Sequence, residues 1–511
     1  MKLIIKLVAV IFICAARFDF KFGFRFKNSR LPLFYPLIIL IGVFNWMLYS
    51  QFANLSYGIA LLTGISSWFF CIVAIHQVKL SVELNTRLVI HQTVKVFFII
   101  NAIVSIAAYM LIVFKTGAIN PYLYQGEYQK YFIRTGDYIH GVSFDTSTTN
   151  SVLNAFGVIY FLHQKKATMA LLCMATLLVT GSNVTNVILS IVLLFIFIFK
   201  SDRNQKSLIL ICFFFLVIFM VKVSPQNNQY LVNYLEKTLD PDKIKSKLPS
   251  QVLSIRETPD SILSPEDRKL KIAILSLDSL HQAQIEKQNS SATKLMAAIV
   301  KPVIPGDSIH TPKFQHVSFI TPVEENMADF IQAHPSELQI SSDSNFRPLY
   351  PGKLIAWQQT FEYLKQHPEK IITGAGIGNF SSKLAFRTSG IKVAGSYPER
   401  FKYMSKGFLE NHFDLYLYYF SKDEGLHSVV NNPSSVYDQL LSEYGVAGLF
   451  AFCFFYIGFF LRRYNVLTYG VSLIFLLSAI FFIDYWFEQL SIVVFFELLL
   501  FLNIKEDAQK L

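Results

Sequence analysis

The chain has 511 residues, 53% of them hydrophobic, with 49 Phe and a mean hydropathy of +0.40. That is too apolar for an ordinary soluble domain, and several runs are long enough to span a bilayer, which takes about 20 helical residues. The formal charge of +11 would suit a nucleic-acid binder, but many basic residues fall in short loops between apolar runs, where they set membrane topology instead, so nucleic acid is set aside as a partner.

The opening MKLIIKLVAVIFICAARF has the charged start and apolar centre of a signal peptide. The aromatic and basic sequence after it argues for a retained first membrane segment. Hydropathy then predicts spans near 3–16, 33–50, 54–76, 95–114, 151–163, 167–181, 184–199, 207–222, 446–461, 465–483 and 487–503, about eleven or twelve transmembrane helices in all. The expected fold is an all-α polytopic membrane bundle with one large periplasmic loop domain. Loops carrying Lys79, Arg87 and Lys95, then Lys165 and Lys166, then Lys200, Arg203 and Lys206, then Arg462 and Arg463 are cytoplasmic by the positive-inside rule. The same parity places 115–150 and 223–444 outside, on the periplasmic face of a bacterial inner membrane. Cys14, Cys71, Cys173, Cys212 and Cys453 all lie in apolar runs, as packing residues without metal-ligand spacing.

Four regions result: an N-terminal transmembrane bundle over 1–222, a polar periplasmic insertion over 223–346, a periplasmic loop region over 347–445, and C-terminal helices with a short cytoplasmic tail over 446–511. The insertion holds helical patches and proline breaks but no catalytic motif. The region after it opens with KLIAWQQTFEYLKQHPEK, where Leu354, Trp357, Phe361 and Leu364 form an apolar stripe at helical spacing. A short β-like run, Ile371–Thr373, leads into Gly374, Gly376 and Gly378, which predict a turn with unusual backbone angles and not a nucleotide loop, since no βαβ pattern surrounds them. Pro433 and Ser434 or Ser435 start a further helix, and Glu443 precedes Gly445. From Arg347 to Lys406 ten basic residues face three acidic ones, a local balance of +7. Such a surface attracts anions, and Arg grips phosphate oxygens in a fork.

The order of these features, a tryptophan-bearing helix, then GAGIGNF, then a helix ending LLSEYGVAG that re-enters the membrane, resembles the O-antigen ligase and polymerase superfamily. Arg134-Thr135-Gly136 with Asn150 at a helix start, and TGSNVTNVILSIVLL at 180–194, are similar to that family's motifs. Asn183 stands where the family has Arg, Lys353 replaces the Arg of its Gly-Arg, and Ser434 occupies the place of its usual His. The resemblance implies a glycosyltransferase that takes an undecaprenyl-pyrophosphate-linked glycan and passes it to a lipid A-core sugar or to the end of another glycan. Its partners would be those two substrates and membrane lipids.

Such a donor is already activated, so transfer needs a cation for the leaving diphosphate and a base for the acceptor proton, and no metal or cofactor if Arg and Lys supply the charge. Arg387, after the glycine turn, and Arg134, beside a helix start on the other outer loop, are the first candidates for pyrophosphate. Lys353, Arg400 and Arg347 follow. His427 is the candidate base, with Asp438 and His412 behind it. Glu443, about half a turn out of phase with Ser434, reads as an anchor at the membrane edge. Two other readings fit the same composition: a lipid-linked glycan flippase without chemistry, which would bury polar groups deep in its spans, and a protein O-oligosaccharyltransferase.

Overall fold

The computed structural model describes residues 20–24, 30–49, 54–117, 119–123, 135–143, 145–224, 322–334, 336–338, 351–391, 397–419, 429, 431–465 and 467–508. The expected first span, 3–16, lies outside them. After two three-residue parallel strands, β1 (Lys21–Gly23) and β2 (Arg30–Pro32), the described chain is helical. The long apolar helices come first: α1 (Phe34–Leu48), α2 (Leu55–Leu84), α3 (Arg87–Thr116), α4 (Ser147–His163), α5 (Ala167–Val179), α6 (Asn183–Phe199) and α7 (Arg203–Ile218). Shorter helices follow: α8 (Pro322–Ala333), α9 (Gly352–Gln366), α10 (Lys383–Thr388), α11 (Lys406–Asn411) and α12 (Phe413–Tyr419). The chain closes with α13 (Val436–Ala451), α14 (Gly470–Ile480), α15 (Trp486–Gln489) and α16 (Ser491–Ala508).

Local chemistry sets many of these ends. Asn54 accepts from the Tyr57 N–H at 3.0 Å to cap α2, Thr146 does the same for α4 through the Thr149 N–H, and Asp202 and Gln205 close a reciprocal capping box on α7. Gly117, at φ 65°, ends α3.

Among the described residues, four helices are long and apolar enough to cross a membrane: α2, α3, α7 with its continuation to Val223, and α13 with its continuation to Leu461. They turn apolar side chains outward, among them Leu62, Ile103, Met110, Phe114, Phe214 and Phe454. Water does not tolerate contiguous apolar surface of that extent, so the chain is a membrane protein. Helices α2 and α3 run about eight residues beyond the expected spans, because Lys79, Glu83 and Arg87 continue the helix where hydropathy has already fallen.

The bundle has two chemically distinct ends. At one, Arg87 donates to the Lys505 carbonyl at 3.0 Å, His91 pairs with Glu506 at 2.8 Å, and Lys165 pairs with Asp202 at 2.7 Å, so the basic α2–α3, α4–α5 and α6–α7 loops lie together. At the other lie the segment before α4, the glycine turn and α9 to α12.

Helix α13 is broken. Gly445 has φ 66° inside it, and the segment before the glycine turn fills the break. The Ala375 and Gly376 N–H groups donate to the Ser442 and Glu443 carbonyls at 2.8 and 3.0 Å, while the Val446 and Ala447 N–H groups donate to the Ile371 and Ile372 carbonyls at 2.8 and 3.1 Å. Backbone groups freed by a break at membrane depth must find such partners. A Cβ on Gly445 would sit 2.4 Å from the Ile372 oxygen, so the position admits no side chain. The expected β-like run at Ile371–Thr373 is thus a turn and not a strand, because its carbonyls face a helix end instead of a neighbouring strand.

Candidate functional site

Gly374, Gly376 and Gly378 have φ of 76°, 98° and 71°, the left-handed angles expected of that turn. The turn is held from two sides. From α1, Asn45 Nδ2 donates to the Thr373 and Gly374 carbonyls at 3.0 and 2.7 Å. From α13, the fully enclosed Glu443 carboxylate accepts from the Gly378 N–H at 3.0 Å and the Phe380 N–H at 3.2 Å. Glu443 is therefore an anchor for the turn. Ser382 then caps α10 by accepting from the Ala385 N–H at 2.9 Å, which aims Lys383 and Arg387, one helical turn apart, to the same side.

Arg387 is half-buried. Its guanidinium makes no hydrogen bond or ion pair with any described residue, yet it lies within electrostatic reach of Glu488 and Tyr397. Glu488, on α15, accepts from Gln439 Nε2 at 2.6 Å, and Lys383 acts on the same carboxylate. One helical residue before Gln439, Asp438 is fully buried. Its Oδ1 accepts from Thr360 Oγ1 of α9 at 2.7 Å, and its Oδ2 is enclosed without a hydrogen-bond partner.

Lys353, two turns before Thr360 on α9, donates from Nζ to the Ser434 carbonyl at 2.5 Å and the Ile483 carbonyl at 2.8 Å. Its amine clasps the entry of α13 to the exit of α14. Desolvation pulls it down to about 7 against the opposing pull of Asp484 and Asp438, and a neutral amine still has two N–H groups for the two carbonyls. Since the folded value lies below the unfolded one near 10.4, the unfolded chain binds the extra proton between those values, and this residue's contribution to stability rises with pH from about 7 to about 10. Lys353→Met, which orphans both carbonyls at about 1–3 kcal/mol each, is expected to lower the melting temperature of the purified chain in detergent and to flatten that alkaline rise. An unchanged melting curve would show that the clasp carries no stability.

The α15 turn joins this region to α4 and the segment before it. Asp484 accepts from Gln489, Gln489 accepts from Thr149 Oγ1 of α4 at 3.3 Å, and Ser491 donates to Asp145. Leu490, at φ 64°, holds this turn in a conformation that is strained for a branched side chain. Asp438, Glu488, Lys353 and Arg387 thus gather where two segments far apart in sequence meet.

Of the other expected site residues, Arg400 is exposed with its guanidinium stacked 4.5 Å from the Phe401 ring centroid, apart from the carboxylates. Arg134, Arg347 and His427 lie outside the described residues. The alternative base His412 is fully buried, its Nδ1 3.2 Å from Gln359 Oε1. Burial pushes it down to about 3, which makes it a weak base. The stripe on α9 differs from the sequence expectation: Leu354 and Phe361 are more than half exposed, and only Leu364 of the four is buried, with Trp357 packed between Phe361 and Phe482. The face turned to α13 is instead Gly352, Ala356 and Thr360, because small residues let the two helices approach; a Cβ on Gly352 would lie 2.0 Å from the Asn431 oxygen. Lys383, Glu488, Thr360 and Gln489 were not singled out from sequence. The i, i+4 spacing of Lys383 and Arg387 was the one available signal.

No family model, curated protein or solved structure matches this chain. The side chains themselves carry its functional reading.

Proposed function

We propose that the chain is an integral-membrane glycosyltransferase of the O-antigen ligase or polymerase type, which moves a glycan from undecaprenyl pyrophosphate to an acceptor hydroxyl at the outer face of a bacterial inner membrane. In this reading the bundle crosses the membrane about eleven times and residues 347–445 form the catalytic region on the periplasmic side. The observation that carries it is Arg387, a half-buried guanidinium with no partner among the described residues, placed beside Glu488 where the two outer segments join. A planar fork in that position suits a diphosphate brought by a lipid from the adjacent bilayer.

In the reaction the acceptor oxygen forms a bond to the anomeric carbon while the bond from that carbon to the phosphate oxygen breaks. The diphosphate leaves with the bonding pair and is held by Arg387, with Arg134, Arg347 and Arg400 as the further cations proposed for it. The acceptor proton passes to a base, for which His427 and Asp438 are the candidates. Asp438 Oδ2 is enclosed with no hydrogen-bond partner, an acceptor that could take a proton. Lys353 serves the architecture, since its amine is engaged by two carbonyls. A protein hydroxyl is an equally good acceptor chemically, which leaves an O-oligosaccharyltransferase within the same proposal.

The transporter reading is favoured by one observation: Glu497, within α16, is fully buried, bonded to Tyr35 at 2.5 Å, with its second oxygen unpartnered, and ionisable groups in such places often mark transport paths. Deletion of the chain followed by glycan profiling separates the alternatives. Loss of a polymerase leaves single repeat units attached, loss of a ligase leaves full polymer on the carrier, and loss of a flippase leaves neither outside. An unchanged surface glycan would overturn the proposal.

A further inference from the structure

The basic end of the bundle holds a cleft that the proposed reaction does not use. It has a volume of about 280 Å³ and lies between the C-terminal ends of α4 and α6 and the start of α14. Ile159, Leu162 and Ile196 give it an apolar wall, and His163, Lys200, Gln205, Thr468, Tyr469 and Ser472 supply polar groups. Lys200 is exposed, and its side-chain amine makes no hydrogen bond or ion pair among the described residues, while Asp202, the nearest acid in sequence, is taken by Lys165 at 2.7 Å. Ser472, 2% exposed, lines the same cleft, so a hydroxyl donor and a cation share it. Beside the cleft the surface is apolar and exposed, through Ile198 and Phe199 on α6 and Phe475 on α14.

An apolar wall, a cation with hydroxyls in the same cleft, and exposed apolar surface beside it match one kind of molecule: an amphiphile whose headgroup is a phosphate ester. We infer that this cleft binds the phosphate headgroup of a membrane lipid, with the anionic non-bridging oxygens at Lys200 and Ser472 and the first methylenes on Ile159 and Ile196. A free phosphate ion would leave the apolar wall uncovered, and a zwitterionic headgroup would bring its own cation to Lys200.

The test uses the purified full chain in detergent and a fluorescent phosphatidylglycerol as probe. The probe is expected to bind, and unlabelled phosphatidylglycerol or a polyprenyl phosphate to displace it, with phosphatidylcholine far less effective. Lys200→Glu should weaken binding roughly tenfold, from the loss and reversal of one charge near the headgroup. Lys166→Glu, an exposed lysine at the same end but outside the cleft, should leave binding within about twofold. Because the Lys200 amine is exposed and unbonded, its replacement should not move the melting temperature. Equal loss in both variants would show general surface charge and overturn the proposal, as would displacement by inorganic phosphate at the concentration of competing lipid. Neither outcome bears on Arg387, which lies at the opposite end, so this inference and the proposed transfer reaction fail separately.

Discussion

Arg387→Ala is expected to abolish glycan transfer while leaving the amount and the melting temperature of the protein unchanged. The first half follows from the proposed chemistry: removal of one preorganised donor from a developing anion lowers the rate by about 10²–10³, or about 2.7–4 kcal/mol. The second follows from the geometry. The guanidinium bonds to no described residue, so truncation orphans no buried group, and Lys383 remains to act on Glu488. Arg387→Lys keeps the charge but not the planar fork and should fall between the two. The measurement is complementation of a deletion strain, read as glycan on a gel beside immunodetection of the chain. Normal glycan with Arg387→Ala removes the residue from the site; loss of glycan together with protein makes its role structural.

Hydropathy located the apolar helices, and α1, α4 and α6 begin or end within a few residues of the expected limits, but an apolar run does not say what covers it: α4 is enclosed by protein along almost its whole length, and among the described residues four helices are long and apolar enough to cross a membrane. Hydropathy did not report helix length, since Lys79 and Arg87 extend α2 and α3 past the apolar run. The glycine turn was legible from three alternating glycines, but its partner was not. YGVAG reads as helix with one tolerated glycine, and the groups that satisfy the break at Gly445 lie some seventy residues upstream, beyond any local pattern. Periodicity on α9 showed two unlike faces without showing which of them meets protein. Small residues let α9 approach its neighbours closely, so Gly352 and Ala356 pack while Leu354 and Phe361 face outward. Glu488 and Glu497 escaped for a third reason: a single carboxylate inside an apolar run is averaged away by any hydropathy window, although its burial makes it one of the more consequential groups in the bundle.

The second large effect is expected at Glu443. Its carboxylate is the acceptor for two enclosed N–H groups, those of Gly378 and Phe380, and Glu443→Ala leaves both unpaired at about 1–3 kcal/mol each. The damage should not stay local. The same turn carries the Ala375 and Gly376 N–H groups that complete the broken α13, and it leads within a few residues to the Ser382 cap that orients Arg387. Glu443→Ala is therefore expected to lower the melting temperature of the purified chain, with glycan lost because the site is no longer assembled. Glu443→Gln retains one acceptor oxygen but sets an NH2 group against the other N–H, so its melting temperature should lie between wild type and alanine. This ordering separates an anchor from a catalytic acid. A catalytic carboxylate would lose activity fully in both variants with the melting temperature unmoved, whereas an anchor loses stability in proportion to the acceptors removed. A stable but inactive Glu443→Gln would move Glu443 from the frame of the site into its chemistry.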